Sequence, residues 1–115
     1  MTVVPAIMRA VGTIQKLDPT QLNASGGHVV TMPATANAIM FSADGGNVRY
    51  TIDSATEPVQ ASSAADHVGW LVRTEANVLG PYIVYLPPGA SIRFKRGTTD
   101  TGAYVQYQLV RFTVA

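Results

Sequence analysis

The amino-acid sequence predicts an all-β fold, either a small antiparallel β-sandwich or a jelly-roll-like barrel, with an extended N-terminal arm. Three observations support this prediction. No window of a dozen residues repeats apolar side chains at helical spacing after a capping residue. Short runs of β-branched and aromatic residues occur instead, and clusters of Gly, Pro, Asn and Asp separate these runs.

The clearest predicted strand is Asn47–Asp53, because every second residue is apolar, starting at Val48. It follows the turn sequence Asp44-Gly45-Gly46-Asn47, which suits the positive backbone angles of a tight hairpin turn. We therefore expect Ala38–Ser42 to pair with Asn47–Asp53 as a β-hairpin.

Five further segments are predicted strands: Val29–Met32, Val68–Arg73, Tyr82–Leu86, Ser91–Lys95 and Ala103–Val114. Pro87–Ala90 is a predicted turn, and Arg96–Gly102 is a predicted loop that leads into the last strand. These two connections predict that the last three strands form a meander. Ser54–Asp66 is rich in small and polar residues and is a predicted surface loop.

The last predicted strand changes its apolar face near Leu109. Its earlier apolar residues share one face, whereas Val110, Phe112 and Val114 lie on the opposite one. Either a bulge near Leu109 switches the register, or the end of the strand is buried on another surface. We favour the second interpretation, in which this end docks on a neighbouring molecule.

Residues 1–27 have the least regular pattern, because Pro5 and Gly12 interrupt any helix or central strand. We expect an apolar N-terminal arm or edge segment that packs across the sandwich or crosses to another subunit. The candidate interface residues are Val3, Val4, Ile7 and Met8 in the arm and Val110, Phe112 and Val114 in the last strand.

Length and composition predict one domain, residues 1–115, with a weakly charged surface. The chain is 47% hydrophobic and 13% charged, and its net charge is +1. A nucleic-acid-binding surface is normally far more basic, so we expect no DNA or RNA partner. Met1–Gln15 lacks the pattern of a signal peptide, and no run of ~20 apolar residues predicts a membrane span. We expect synthesis in the cytoplasm.

The sequence predicts no catalytic, metal or cofactor site. Ser25, His28, Asp66 and His67 contain the residue types of a catalytic triad, but their spacing does not support one and Gly-x-Ser-x-Gly is absent. The chain has no cysteine, its two histidines are far apart, and no phosphate-binding glycine motif occurs. We therefore expect a protein that is not an enzyme.

Aromatic residues provide an alternative function, a carbohydrate-binding module. Aromatic planes stack on the apolar faces of sugar rings, and five residues are candidates for such a face: Trp70, Tyr82, Tyr85, Tyr104 and Tyr107. Trp70 lies between Gly69 and Leu71 in a mostly apolar strand, so we expect it to pack in the core instead.

The segment Ala38–Asp53, which contains Asn-Val-Arg-Tyr-Thr, continues through Thr56-Glu57-Pro58 to an apolar strand at Val68–Leu71. This arrangement resembles small β-sandwich structural proteins encoded among the head genes of tailed bacteriophages. The resemblance covers about a third of the chain. The chain departs from the usual Asp-Gly-Thr by reading Asp53-Ser54-Ala55-Thr56.

The resemblance implies a capsid cement or decoration protein, a virion component that binds the major capsid protein on the capsid surface and stabilises the head. It also implies a homo-oligomer, with a trimer favoured. A tail, fibre or adaptor component shares the same sequence features and remains an alternative.

Overall fold

The structure is a computed structural model that describes residues 6–72 and 81–114. The described residues form two four-stranded antiparallel sheets, with strand orders β1-β8-β3-β6 and β2-β7-β4-β5. The first sheet contains β1 (Ala6–Leu17), β3 (Ala38–Asp44), β6 (Tyr82–Tyr85) and β8 (Tyr104–Val114). The second contains β2 (His28–Thr31), β4 (Val48–Thr51), β5 (Trp70–Val72) and β7 (Ser91–Arg96). The predicted all-β sandwich is confirmed.

The predicted hairpin between Ala38–Ser42 and Asn47–Asp53 is wrong. β3 pairs with β6 and β8, whereas β4 pairs with β5 and β7, so the two strands belong to different sheets. The glycine turn between them does exist, and Gly45 has φ +79°. It carries the chain from one sheet to the other instead of closing a hairpin.

The predicted meander of the last three strands is also wrong. β6 pairs with β3, β7 pairs with β2 and β4, and β8 pairs with β1 and β3. The Pro87–Ala90 turn forms as predicted, with a hydrogen bond from the Ala90 N–H to the Pro87 carbonyl oxygen (3.1 Å). Both connections cross between the sheets, because consecutive strands contribute to opposite layers of the sandwich.

From Ala6 onward, the predicted N-terminal arm is a strand of twelve residues at the edge of the first sheet. Gly12 does not end this strand, because its φ of +88° lies where the pairing of β1 with β8 shifts, between Val11 and Gln15. A one-turn helix, α1 (Pro19–Leu22), then follows. Asp18 caps it with a side chain that accepts from the Gln21 N–H at 2.8 Å.

The register of β8 excludes one of the two alternatives for the last strand, the bulge, and docking of its end on a neighbouring molecule stays a prediction. β8 pairs with β3 without a shift from Tyr104 to Val110, so the bulge near Leu109 is absent. The irregularity lies in β1. Val110 and Phe112 consequently lie on the outer face of the first sheet, opposite to the core face that carries Val105 and Leu109.

The core between the sheets is centred on aromatic rings from both layers. The ring centroid of Phe41, in the first sheet, lies 5.0 Å from that of Tyr50 and 5.1 Å from that of Phe94, both in the second sheet. Tyr82 stacks on Phe41 at 5.8 Å. Burial raises the pKa of Tyr50, and neighbouring Tyr82 raises it further, so the Tyr50 phenol is uncharged at neutral pH.

Residues 53–68, which include a short 3₁₀ turn, Ala64–Asp66, are bonded to part of the outer face of the second sheet. Polar side chains hold this segment. Lys95 Nζ lies 2.7 Å from Glu57 Oε1, and Arg49 Nε donates to Gln60 Oε1 at 2.6 Å. The Lys95 ammonium lowers the pKa of Glu57. The outer face of the second sheet is therefore largely polar and partly covered.

Candidate protein-docking surface

The outer face of the first sheet is apolar at one end. The strand register places on this face a set of apolar side chains from all four strands, which we name the apolar face: Met8, Ala10, Ala38, Met40, Ile83, Tyr85, Val110 and Phe112. Met8 and Ile83 are 48% and 43% exposed, and Tyr85 is exposed as well. Contiguous apolar patches of this kind mark interaction sites more often than single exposed residues do.

Two members of the apolar face are nevertheless buried. Val110 is only 1% exposed, and Ala38 is fully buried. Tyr85 and Phe112 contact each other with ring centroids 5.1 Å apart on this same face. Val110 is therefore already buried within the chain itself, and its role as an interface residue stays a prediction.

β1 and β8 extend beyond the rest of the sheet as a two-stranded ribbon. β3 begins at Ala38, opposite Val110, so residues 111–114 pair only with residues 6–9. We name these eight residues the ribbon. Met8 and Phe112 lie opposite each other on one of its faces, and Arg9 and Arg111 lie opposite each other on the other.

Asn37 anchors the ribbon to the sandwich. Its side chain Nδ2 donates to the Phe112 carbonyl oxygen at 2.8 Å, and its Oδ1 accepts from the Phe112 N–H at 2.8 Å. β3 begins at Ala38, opposite Val110, so it has no backbone partner for Phe112. The two bonds from Asn37 occupy the Phe112 backbone groups instead. The sheet thereby gains one more paired position from a side chain.

We expect Asn37→Ala to lower the free energy of unfolding by about 1–3 kcal/mol, because it removes both bonds and leaves two partly buried backbone groups without partners. Urea unfolding measures the loss, and hydrogen exchange at Phe112 shows its location. Asn23→Ala is the matched control, because Asn23 is exposed and its replacement should change stability by less than about 0.5 kcal/mol. Equal effects of the two changes would contradict the anchoring role.

The arginine face of the ribbon carries uncompensated charge. Arg9 and Arg111 are exposed and directly opposite across the two strands, where like charges destabilise pairing. Among the residues that the structure describes, the ion pair is Lys95–Glu57, and neither of these arginines has a carboxylate partner. A partner that supplied carboxylates at this position would therefore be attracted.

A cleft of about 400 Å³ continues the apolar face toward the centre of the sheet. Its lining includes Ile14, Met40, Pro81 and Gln106. Ile14 overhangs the sheet from the irregular part of β1, where Gln108 Nε2 donates to the Gly12 carbonyl oxygen at 3.2 Å. The irregularity of β1 thus shapes the surface as well as the strand.

The predicted interface residues fall into three groups. Val3 and Val4 lie outside the described residues, and so does the side chain of Val114. Ile7 and Met8 are exposed and Phe112 is half-buried, all in the ribbon. Sequence reasoning missed Ile83 and considered Tyr85 only for a carbohydrate-binding face, although the run Tyr82–Tyr85 is apolar at every position. In a two-layer sandwich such a run must leave one apolar face outside the core.

The aromatic candidates do not form a single face. Tyr82 and Tyr107 point to the core, Tyr85 and Tyr104 lie on the outer face of the first sheet, and Trp70 belongs to the second sheet. The expectation that Trp70 packs in the core is wrong, because its side chain is 68% exposed. β5 is an edge strand, so this position extends past the buried layer.

Local structure accounts for the two histidines among the candidate catalytic residues. His28 begins β2, and His67 Nδ1 accepts from the Ala61 N–H at 3.0 Å. Within residues 6–72 and 81–114, no group of three His, Cys, Asp or Glu side chains is placed to hold a metal ion. Over the same residues, no helix has the length and apolar character needed to span a membrane.

Comparison with known proteins provides no relative. No protein-family model matches the chain, and neither the curated proteins nor the solved structures contain a significant match.

Proposed function

We propose that this protein is a non-enzymatic structural component that docks on the outer shell of a tailed-phage head through the apolar face and the ribbon. The observation that carries the proposal is the exposed apolar surface that β1, β8, β3 and β6 share on the side away from the core. The virion location and the capsid partner come from the sequence resemblance of Ala38–Asp53. The trimer that the resemblance implies stays a prediction.

The apolar face favours a protein partner. Met8, Ile83 and Tyr85 expose large side chains next to one another in a rigid sheet, so docking would remove apolar area from water at little cost in backbone order. Tyr and Met are also enriched where protein interfaces are buried. The neighbouring cleft under Ile14 provides a concave site for an apolar side chain of the partner.

The ribbon adds orientation and charge selectivity. Its two faces are chemically different, with Met8 and Phe112 on one and Arg9 and Arg111 on the other. A ribbon of this kind fits a seam where an apolar groove adjoins carboxylates. Many copies of such a seam occur on a repeating shell, and multivalent attachment there adds avidity to a modest single contact.

The test is co-sedimentation of the purified protein with heads that were assembled without it. We expect wild-type protein to pellet with heads, and we expect Ile83→Asp and Met8→Asp to weaken binding at least about tenfold, since each buries a carboxylate in an apolar contact. Raising the salt concentration should also weaken binding, because the Arg9–Arg111 contribution is electrostatic.

Val29→Asp is the matched control. Val29 is 40% exposed, which is similar to the 43% of Ile83, but it lies on the outer face of the second sheet. It should therefore pellet like wild type, and thermal unfolding of all three variants should show that each is folded. Wild-type protein that stays in the supernatant, or that binds isolated tails and not heads, would contradict the head assignment. Normal pelleting of Ile83→Asp would contradict the docking face.

A further inference from the structure

A second cleft, unrelated to the apolar face, lies in the second sheet between the end of β4 and the start of β5. It has a volume of about 290 Å³, and seven residues line it: Thr51, Ile52, Asp53, Thr56, Val68, Gly69 and Trp70. This volume is slightly below the about 300 Å³ at which sites for drug-sized ligands begin. The cleft is therefore of a size for one ring, not for an extended chain.

Trp70 forms the aromatic wall of this cleft. Its indole is the most exposed of the large apolar side chains in the described residues, and Ile52 beside it is also exposed. Gly69 brings the backbone close at this point, because its φ is +92° and a Cβ would lie 2.7 Å from the Tyr50 carbonyl oxygen. The start of β5 is thus held against β4 while the indole projects into solvent.

Asp53 forms the polar wall, and its carboxylate is fixed in position. Oδ1 accepts from the Ala55 and Thr56 N–H groups at 2.7 Å each, and Oδ2 accepts from Thr56 Oγ1 at 2.6 Å. These hydrogen bonds, that of the Thr56 hydroxyl first, lower the pKa of Asp53. The carboxylate is ionised at neutral pH and keeps acceptor capacity for a ligand.

The polar groups of the cleft select a class of ligand. The lining contains a carboxylate and two hydroxyls but no cationic side chain, which disfavours phosphates and carboxylates. The nearby Arg93 guanidinium acts on Asp53 from outside the lining, where it donates to the Ser54 carbonyl oxygen at 2.9 Å. A carboxylate accepts from hydroxyl groups, and an exposed indole plane packs on a flat apolar surface. A neutral pyranose has these properties: it has donor hydroxyls and an apolar ring face, and it carries no negative charge.

We propose that the cleft between Trp70 and Asp53 binds a single neutral pyranose unit of a saccharide. The sugar ring stacks on the indole, and its hydroxyls donate to the Asp53 carboxylate. A quaternary ammonium ion is the competing ligand for an aromatic ring beside a carboxylate, but it is usually enclosed by several aromatic walls, and this cleft has one. The site lies on the opposite sheet from the docking surface, so it goes beyond the proposed function.

The experiment uses the fact that Trp70 is the single tryptophan of the chain. Its indole N–H gives one resonance and its fluorescence one emission, so both report on this cleft alone. We would titrate the full-length protein with the trisaccharides of glucose, N-acetylglucosamine, mannose and galactose, and separately with choline. We expect a saturable shift of the indole signals with at least one trisaccharide at millimolar concentration.

Variants then connect the response to the site. Binding of the responding trisaccharide, measured by calorimetry, should be lost in Trp70→Ala and weakened at least about tenfold in Trp70→Phe, which keeps a smaller ring and guards against unfolding. Tyr104→Ala removes an aromatic side chain from the outer face of the other sheet, outside both the apolar face and the cleft, and should bind normally. No saturable response to any trisaccharide, a response to choline alone, or normal binding by a folded Trp70→Ala would each overturn the proposal.

Discussion

Phe41→Ala is expected to lower the free energy of unfolding by about 3–5 kcal/mol. Phe41 is almost completely buried, and its ring contacts rings from both sheets: Tyr82 in its own layer and Tyr50 and Phe94 in the other. Truncation leaves a cavity at the centre of the sandwich that rigid strands cannot close, and it removes three aromatic contacts together. Urea unfolding followed by circular dichroism measures the loss.

Ile14→Ala serves as the comparison for this change. Ile14 is exposed in the irregular part of β1, so truncation there should change the free energy of unfolding by less than about 0.5 kcal/mol. A loss below about 1 kcal/mol for Phe41→Ala would show that the core rearranges around the missing ring. The sheets would then be held together mainly by their peripheral contacts.

The strands of this fold could be predicted from local sequence, whereas their pairing could not. Alternation around Val48–Thr51 and the glycine turn before it indicate a strand and a turn correctly. They do not indicate whether the turn closes a hairpin or carries the chain to the second sheet. That choice depends on which strands supply backbone partners from far along the chain, and here β4 finds them in β5 and β7.

The same limit applies to the candidate sites. Ile7 and Met8 are predicted interface residues because they belong to an apolar segment that Pro5 and Gly12 interrupt and that needs covering. Burial of Val110 and exposure of Trp70 could not be predicted. Val110 is buried although the register places it on the outer face of the first sheet, and Trp70 is exposed in an edge strand, β5. Both facts are properties of pairing, not of the local pattern.

Gly45→Ala is expected to lower the free energy of unfolding by about 3 kcal/mol or more, through two separate costs. Gly45 has φ +79°, which disfavours any residue with a Cβ. A Cβ at this position would also collide with the carbonyl oxygen of Gly102. The obstacle is backbone, so it cannot rotate away as a side chain would, and the β3–β4 and β7–β8 connections would have to separate.

Gly89→Ala separates the two costs. Gly89 has a similar φ of +86°, but a Cβ there meets nothing within 4 Å, so its replacement should cost only the about 1–2 kcal/mol of the left-handed conformation. The difference in unfolding free energy between the two variants then measures the collision alone. Asp100 Oδ1 accepts from the Asn47 N–H at 3.0 Å across the same junction, so separation should also expose that amide to hydrogen exchange in Gly45→Ala and not in Gly89→Ala. Equal losses in the two variants would mean that the connections move apart freely, and that neither one fixes how the two sheets are placed.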